Sequence, residues 1–230
     1  IGRETADNKS GKHPVLWLLH GMSDDETIWQ RRTSIERYAA PLGLAVVMPA
    51  VQLSGYSDMA HGGKYYSFIS DELPKVMRCF FPLSDKREDN FIAGLSMGGA
   101  GCMKIGLANP DKYSAIGCLS AGITNHNKNE YITNPGMNKR YNMLYGDRIL
   151  EGTEEDPEGN ARKIINTGSI PPRIYHACGD KDFLLDKARY TRDFFNSFSG
   201  NPFGYIYEED PGAHTWEFWD EHIQHFLRFI

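Results

Sequence analysis

No apolar run in the 230 residues approaches the roughly 20 that span a bilayer, so the chain carries no transmembrane helix of that kind. No block of Lys and Arg interrupts a formal net charge of -5, which argues against a nucleic-acid partner and against a membrane-surface role. Cysteine is sparse: Cys79, Cys102, Cys118 and Cys178 are far apart, with no C-x-x-C spacing. Each lies among apolar residues, so buried free thiols are expected rather than disulfides or a zinc site. Repeats, low-complexity tracts and a signal-peptide pattern are all missing. The chain opens on Ile1 rather than Met, and an incomplete beginning is the expectation.

What is there is ordinary in amount and regular in order. Hydrophobic residues make up 40% and charged residues 24%, and the length suits one α/β domain with a full core. A continuous apolar run at 15–19 reads as a strand covered on both faces, 44–48 as the next buried strand, and 91–93, 115–119, 173–178 and 204–208 as further strands. Between them, helical spacing marks 29–41, 66–81, 100–108, 186–198 and 215–229, with Pro74 expected to kink the second and Asp186 to cap the fourth. Strand and helix alternate, which predicts a doubly wound, mostly parallel sheet with helices on both faces. Residues 1–14 read as a loose approach, 49–63 as a long loop, and 121–169 as an inserted cap within a single domain spanning 1–230.

The organising stretch is Asn90 to Gly101. An apolar strand meets Gly94-Leu95-Ser96-Met97-Gly98, and small and apolar residues follow to Ala108. G-x-S-x-G alone arises by chance in roughly one chain in ten of this length. Flanked by a strand and a helix it predicts a nucleophile on a sharp, strained turn, with the helix start supplying free N–H groups to a developing oxyanion.

A serine nucleophile needs a base and an orienting acid. His214 follows the last strand and precedes the last helix, the place that the chain order Ser, acid, His reserves for the base. For the acid, Asp180 and Asp182 compete in the loop after residue 178. Asp180 can serve the turn, whereas the apolar triplet after Asp182 would hold that carboxylate away from water, so Asp182 is favoured. Met97 N–H, next to the nucleophile, and Met22 N–H, after the first strand, are the expected oxyanion donors, with His20 structural. His222 and His225 lie three apart on the last helix, without an evident third metal ligand, and no metal or cofactor is expected.

These motifs together resemble the esterase D family of α/β-hydrolases, closest to its bacterial tributyrin esterase and cinnamoyl (feruloyl) esterase branch. The resemblance rests on Leu19-His20-Gly21-Met22, Gly94 to Gly99, Cys178 to Leu184, Gly212 to Trp219, and Tyr56 to Pro74. It implies an α/β-hydrolase fold, a Ser96–His214–Asp182 triad, an oxyanion hole at Met22 and Met97, and a bacterial cytoplasmic location. Members of that family begin with an antiparallel strand pair, for which residues 1–14 are too short and polar.

Trp29, Tyr56, Tyr65 and Trp216 are expected on the rim as substrate contacts, and Trp219 in the core. The expected function is hydrolysis of short-chain acyl esters, acetyl or cinnamoyl in type, with acylated oligosaccharide among the small-molecule partners considered. A thioesterase acting on S-formylglutathione and a non-catalytic carbohydrate-binding protein are the rival readings. Homo-oligomerisation is left open.

Overall fold

The computed structural model describes residues 11–123 and 135–230. Six strands form one sheet: β1 (Val15–Leu19), β2 (Ala45–Val47), β3 (Asn90–Leu95), β4 (Ala115–Leu119), β5 (Arg173–Gly179) and β6 (Ile206–Asp210). Their order is β2-β1-β3-β4-β5-β6, and every neighbouring pair is parallel. Strands β1, β3 and β4, and β5 after Arg173, are buried throughout because both faces of the sheet are covered there, whereas the edge strand β6 is not. Trp17, Leu19, Ile92 and Ile116 join one buried cluster, while Leu16, Leu18, Phe91 and Ala93 join the other. This is the doubly wound parallel sheet expected from the alternating pattern, as the resemblance to α/β-hydrolases also implies.

From β1 the chain runs outward to β2, then returns to the other side of β1 as β3. The connections leaving β1 and β3 therefore diverge, and a crevice opens at the carboxyl ends of these two strands. Leu19 is in register with Gly94, so the loop beginning at His20 and the turn at Ser96 face each other across that crevice.

Several elements differ from expectation, each for a local reason. The stretch 29–41 is two short helices, α1 (Ile28–Arg32) and α2 (Ile35–Ala39), followed by a 3-10 turn. Thr33 breaks it: its backbone is extended, and its hydroxyl donates to Trp29 O and accepts from Ile35 N–H. The segment after Lys64 runs from α3 (Tyr65–Ser67) through a π-helical turn (Phe68–Glu72) into α4 (Leu73–Phe80). Pro74 has no N–H for the Ser70 carbonyl four residues back, and the π turn absorbs its ring. The Lys112 ammonium donates to that carbonyl instead, at 2.9 Å. Cys79 is exposed on α4, unlike the other three cysteines, because the outer side of α4 faces solvent with Phe80. Strand β6 begins two residues later than expected, since Gly204 and Tyr205 belong to a turn held by Asn201. Residues 1–10 and 124–134 of the expected approach and cap lie outside the described residues, but His13 is buried and pairs with the 82–84 segment rather than trailing loosely.

Helix α5 (Met97–Ala108) runs back from the crevice, with every residue from Met97 to Leu107 except Ala100 buried. It has no polar face because the sheet covers one side and α7 (Pro157–Thr167), with Ala161 and Ile164, covers another. Its one charge, Lys104, is paired with Glu155 and donates to Ser57 Oγ at 2.6 Å and to Gly55 O at 2.9 Å. The cation ties both the 49–63 loop and the approach to α7 to the back of α5. Helix α6 (Pro135–Tyr145) crosses the loop, where Ala60 and His61 N–H donate to the Leu144 and Met143 carbonyls. Helices α8 (Leu185–Asn196) and α9 (Trp216–Phe229) complete the layers. Asp186 does not cap α8: the helix starts one residue earlier, and Asp186 lies in its first turn.

His176 on β5 is fully buried, donating from Nε2 to Ala121 O and accepting the Tyr205 hydroxyl at Nδ1. Burial drives its pKa from 6.5 down to about 4. The native imidazole therefore stays neutral while the unfolded chain takes up a proton, and stability falls as pH drops from 6.5 towards 4. This one group is expected to remove about 3 kcal/mol over that window. Urea unfolding at pH 7 and pH 4.5 should give a smaller acid loss for His176→Gln than for the wild type.

Candidate active site

Ser96 occupies the single residue between β3 and α5. Its backbone is in the positive-φ region, at φ 52 and ψ -117, which a serine adopts only when its surroundings impose it. The surroundings are visible at the two glycines. A Cβ on Gly94 would lie 2.6 Å from Gly98 C, and one on Gly98 would lie 2.5 Å from Leu19 O. Close packing of β3, α5 and the end of β1 thus pushes the serine side chain into the crevice.

His214 lies between β6 and α9, half-buried. Its Nε2 is 2.9 Å from Ser96 Oγ, and its Nδ1 is 2.9 and 3.0 Å from the two carboxylate oxygens of Asp182. An ionised carboxylate only accepts, so Nδ1 carries the proton and Nε2 is the acceptor for the Ser96 hydroxyl. The Asp182 side chain is fully buried. Burial pushes its carboxyl up, but the His214 contact, the Leu184 N–H at 2.8 Å and the Ser120 hydroxyl together outweigh this and leave it below the ordinary carboxylate value. Asp180, the competing acid, is spent on the turn: its Oδ1 accepts Gly212 N–H at 2.9 Å.

Ser120 is a contributor that sequence reasoning missed. It follows β4 directly, is fully buried, and has a positive φ of 47. Its hydroxyl accepts the Trp219 indole N–H at 2.8 Å and helps hold the Asp182 charge. The only sequence signal was a serine at the carboxyl end of a strand beside the nucleophile strand. Trp219 is buried, as expected, with its ring edge-on to the His214 imidazole at 4.9 Å. On the other side the Phe183 ring lies 4.4 Å from the imidazole and is 76% exposed, forming an apolar rim.

The two expected oxyanion donors flank this arrangement. Met97 opens α5, so its N–H has no partner within the helix. Met22 lies just past Gly21, whose added Cβ would strike Leu95 Cδ1 at 2.6 Å and approach Ser96 Cβ at 3.8 Å. Gly21 thus packs against the serine turn, and a side chain there would have to displace the Leu95 methyl. His20 is buried and structural: Val51 N–H donates to its Nε2, so Nδ1 carries the proton and donates to Gly21 O at 2.7 Å.

Two of the four aromatic expectations, Tyr56 and Trp29, need correction. Tyr56 is fully buried, its ring packed where a Cβ on Gly101 would be, and its hydroxyl donates to His20 O at 2.8 Å. Trp29 is buried too, and its indole donates to Leu19 O at 3.0 Å. Both are packed inside rather than exposed on a rim. They clamp the two carbonyls from which the Gly21–Met22 turn departs, because a polar group at the end of a large ring must find a partner once buried. Tyr65 is half-buried against the core and the Gly63 backbone. Trp216 is half-buried, edge-on to both Trp29 and Trp219. Replacing Tyr56 by Phe is expected to lower kcat by about tenfold with little change in KM, the effect of a loosened hydrogen bond on oxyanion geometry. Steady-state kinetics on a small ester checks this.

His222 and His225 gain a third neighbour that spacing alone did not reveal, Glu208 on β6. Each of the three makes a hydrogen bond within the group or through Tyr175. His225 Nδ1 is 2.8 Å from Glu208 Oε2, and the Tyr175 hydroxyl bridges Glu208 and His222.

Comparison with known proteins decides the family. Residues 5–230 match the Esterase family. The chain belongs to that family. An acetyl esterase of Caldicellulosiruptor saccharolyticus is 32% identical over 215 residues, which is 91% of this chain and 80% of the relative. Among solved structures, the fluorophosphonate-binding serine hydrolase FphF of Staphylococcus aureus is 35% identical with a TM-score of 0.84, covering 98% of this chain and 86% of that one. The S-formylglutathione hydrolase FrmB of the same organism is 36% identical with a TM-score of 0.78, over the same shares. This esterase is therefore a serine hydrolase acting on a small-molecule ester, and the non-catalytic reading is set aside. Among its described residues no helix is long and apolar enough to cross a membrane.

Proposed function

We propose that the esterase acts through an acyl-enzyme on Ser96, with His214 as the proton shuttle and Asp182 as its orienting acid. Ser96 Oγ attacks the ester carbonyl carbon as its proton passes to His214 Nε2. The charge that forms on the carbonyl oxygen is held by the N–H groups of Met22 and Met97. Collapse breaks the carbon–oxygen bond to the alcohol, which leaves with the proton from His214. Water then attacks the acyl carbon and gives its proton to His214; the bond to Ser96 Oγ breaks, the carboxylic acid leaves, and His214 returns the proton to Oγ. Asp182 keeps the proton on Nδ1 throughout and stabilises the imidazolium. The single observation that supports this most strongly is one imidazole within 3.0 Å of both the Ser96 hydroxyl and a buried carboxylate.

The substrate reading is a short-chain acyl ester, acetyl before cinnamoyl, with acylated oligosaccharide included. The acetyl esterase relative supports it. The domain reading is one α/β-hydrolase domain with a cap at 121–169, of which α6 is the part described above the crevice. A thioesterase is the second reading, favoured by similarity to the S-formylglutathione hydrolase. The test is a panel of p-nitrophenyl acetate, acetylated xylo-oligosaccharide, a feruloyl ester and S-formylglutathione. The highest kcat/KM is expected on an acetyl ester. A clear preference for the thioester would replace the first reading with the second.

A further inference from the structure

Arg140 lies near the middle of α6, and its guanidinium reaches down to the two residues assigned above as oxyanion donors. One amino group is within hydrogen-bond reach of Met22 Sδ. The other is 3.6 Å from Met97 Sδ and 3.5 Å from Leu53 O. Thioether sulfur is a weak acceptor, and one long contact to a carbonyl does not neutralise a cation. Among the described residues no carboxylate forms an ion pair with Arg140, whereas Lys104, Arg31, Arg189 and Arg192 all have one. Met22 and Leu53 are 51% and 53% exposed, so the charge sits at an open mouth. A planar guanidinium that no described carboxylate pairs, held by soft neutral contacts beside the proposed oxyanion donors, is matched to a carboxylate.

We propose that Arg140 forms an anion subsite, so that this esterase favours esters bearing a carboxylate near the scissile bond. The proposal rests on the Ser96 mechanism above and adds a substrate class to it. The rim is then two-sided: Phe183 offers apolar surface beside His214, and Arg140 offers charge beside the oxyanion donors. The carboxylate displaces the weak sulfur contacts and accepts both amino groups. Binding is expected to show in KM more than in kcat, because the carboxylate is present in ground and transition states alike.

Two matched pairs test this and separate the two ends of the ester. On the alcohol side, 4-acetoxybenzoate is compared with its methyl ester. On the acyl side, the mono-p-nitrophenyl ester of adipic acid is compared with p-nitrophenyl hexanoate. In at least one pair, the anionic-to-neutral ratio of kcat/KM is expected to fall about tenfold or more in Arg140→Gln and to recover in part in Arg140→Lys. A thermal melt establishes that the variants fold. In the wild type, raising the salt from 0.05 to about 0.5 M should lower the same ratio independently of any substitution. A ratio that neither substitution nor salt changes in either pair overturns the subsite. Failure to hydrolyse any of the four esters would instead overturn the Ser96 mechanism.

Discussion

Replacing Ser96 by alanine is expected to lower kcat for p-nitrophenyl acetate by about 10⁵-fold or more while the protein stays folded. The size follows from the role. In the proposed mechanism no acyl-enzyme forms without Oγ, and the remaining rate comes from oriented water and the Met22 and Met97 N–H groups. The fold should tolerate the change, because alanine places the same Cβ on the same strained backbone and the Gly94 and Gly98 contacts are untouched. The melting temperature should stay level or rise, since the hydroxyl contributes only its bond to His214. A measurable kcat within tenfold of the wild type would place the chemistry elsewhere.

Asp182→Asn is expected to cost about 10⁴-fold in kcat, and the structure says why an isosteric change would be so damaging. Asp182 Oδ1 accepts the Leu184 N–H at 2.8 Å. In the amide, the oxygen must stay on that donor, since an NH₂ group there would face an N–H. The NH₂ then takes the Oδ2 position, 2.9 Å from His214 Nδ1, and forces that nitrogen to accept. Nε2 becomes protonated and can no longer take the Ser96 proton. Asp182→Ala lacks this misdirection and should be no worse, although it removes the whole carboxylate. Comparing kcat of the two variants therefore reads the tautomer directly. In the wild type, burial alone would raise the Asp182 carboxyl, and its net shift below the ordinary value keeps it ionised at neutral and mildly acidic pH. Any loss of activity from Asp182 protonation is therefore expected only below the ordinary carboxylate range.

Much of this was legible in the sequence because it depends on chain order and on backbone sterics. Six apolar runs and a G-x-S-x-G turn specify a parallel sheet with a serine at a strand end, and the positions of Asp182 and His214 follow from the two loops after it. Gly94 could be read because its requirement is local: it meets Gly98 within the motif, whereas Gly98 meets Leu19 O, a neighbour that only the fold sets beside it. The aromatics could not. Tyr56 and Trp29 look like rim residues from loop position, yet each has its ring buried and its polar tip on a carbonyl of β1 or the loop after it, contacts spanning 36 and 10 residues. Ser120, Glu208 and Arg140 were invisible for the same reason. A serine after a strand, a glutamate on an edge strand and an arginine on an irregular stretch acquire meaning only from what the fold sets beside them. The π turn ahead of Pro74 shows the intermediate case, in which the disturbance was predictable and its form was not.

The most direct test of the central claim is covalent labelling with a fluorophosphonate, followed by intact mass and peptide mapping. Only a serine whose proton is taken by a neighbouring base reacts readily with such a probe. The mechanism predicts one adduct per chain, on the peptide carrying Ser96, absent in Ser96→Ala and slowed by orders of magnitude in His214→Gln. An adduct on another residue, or unchanged labelling when Ser96 or His214 is replaced, would contradict it.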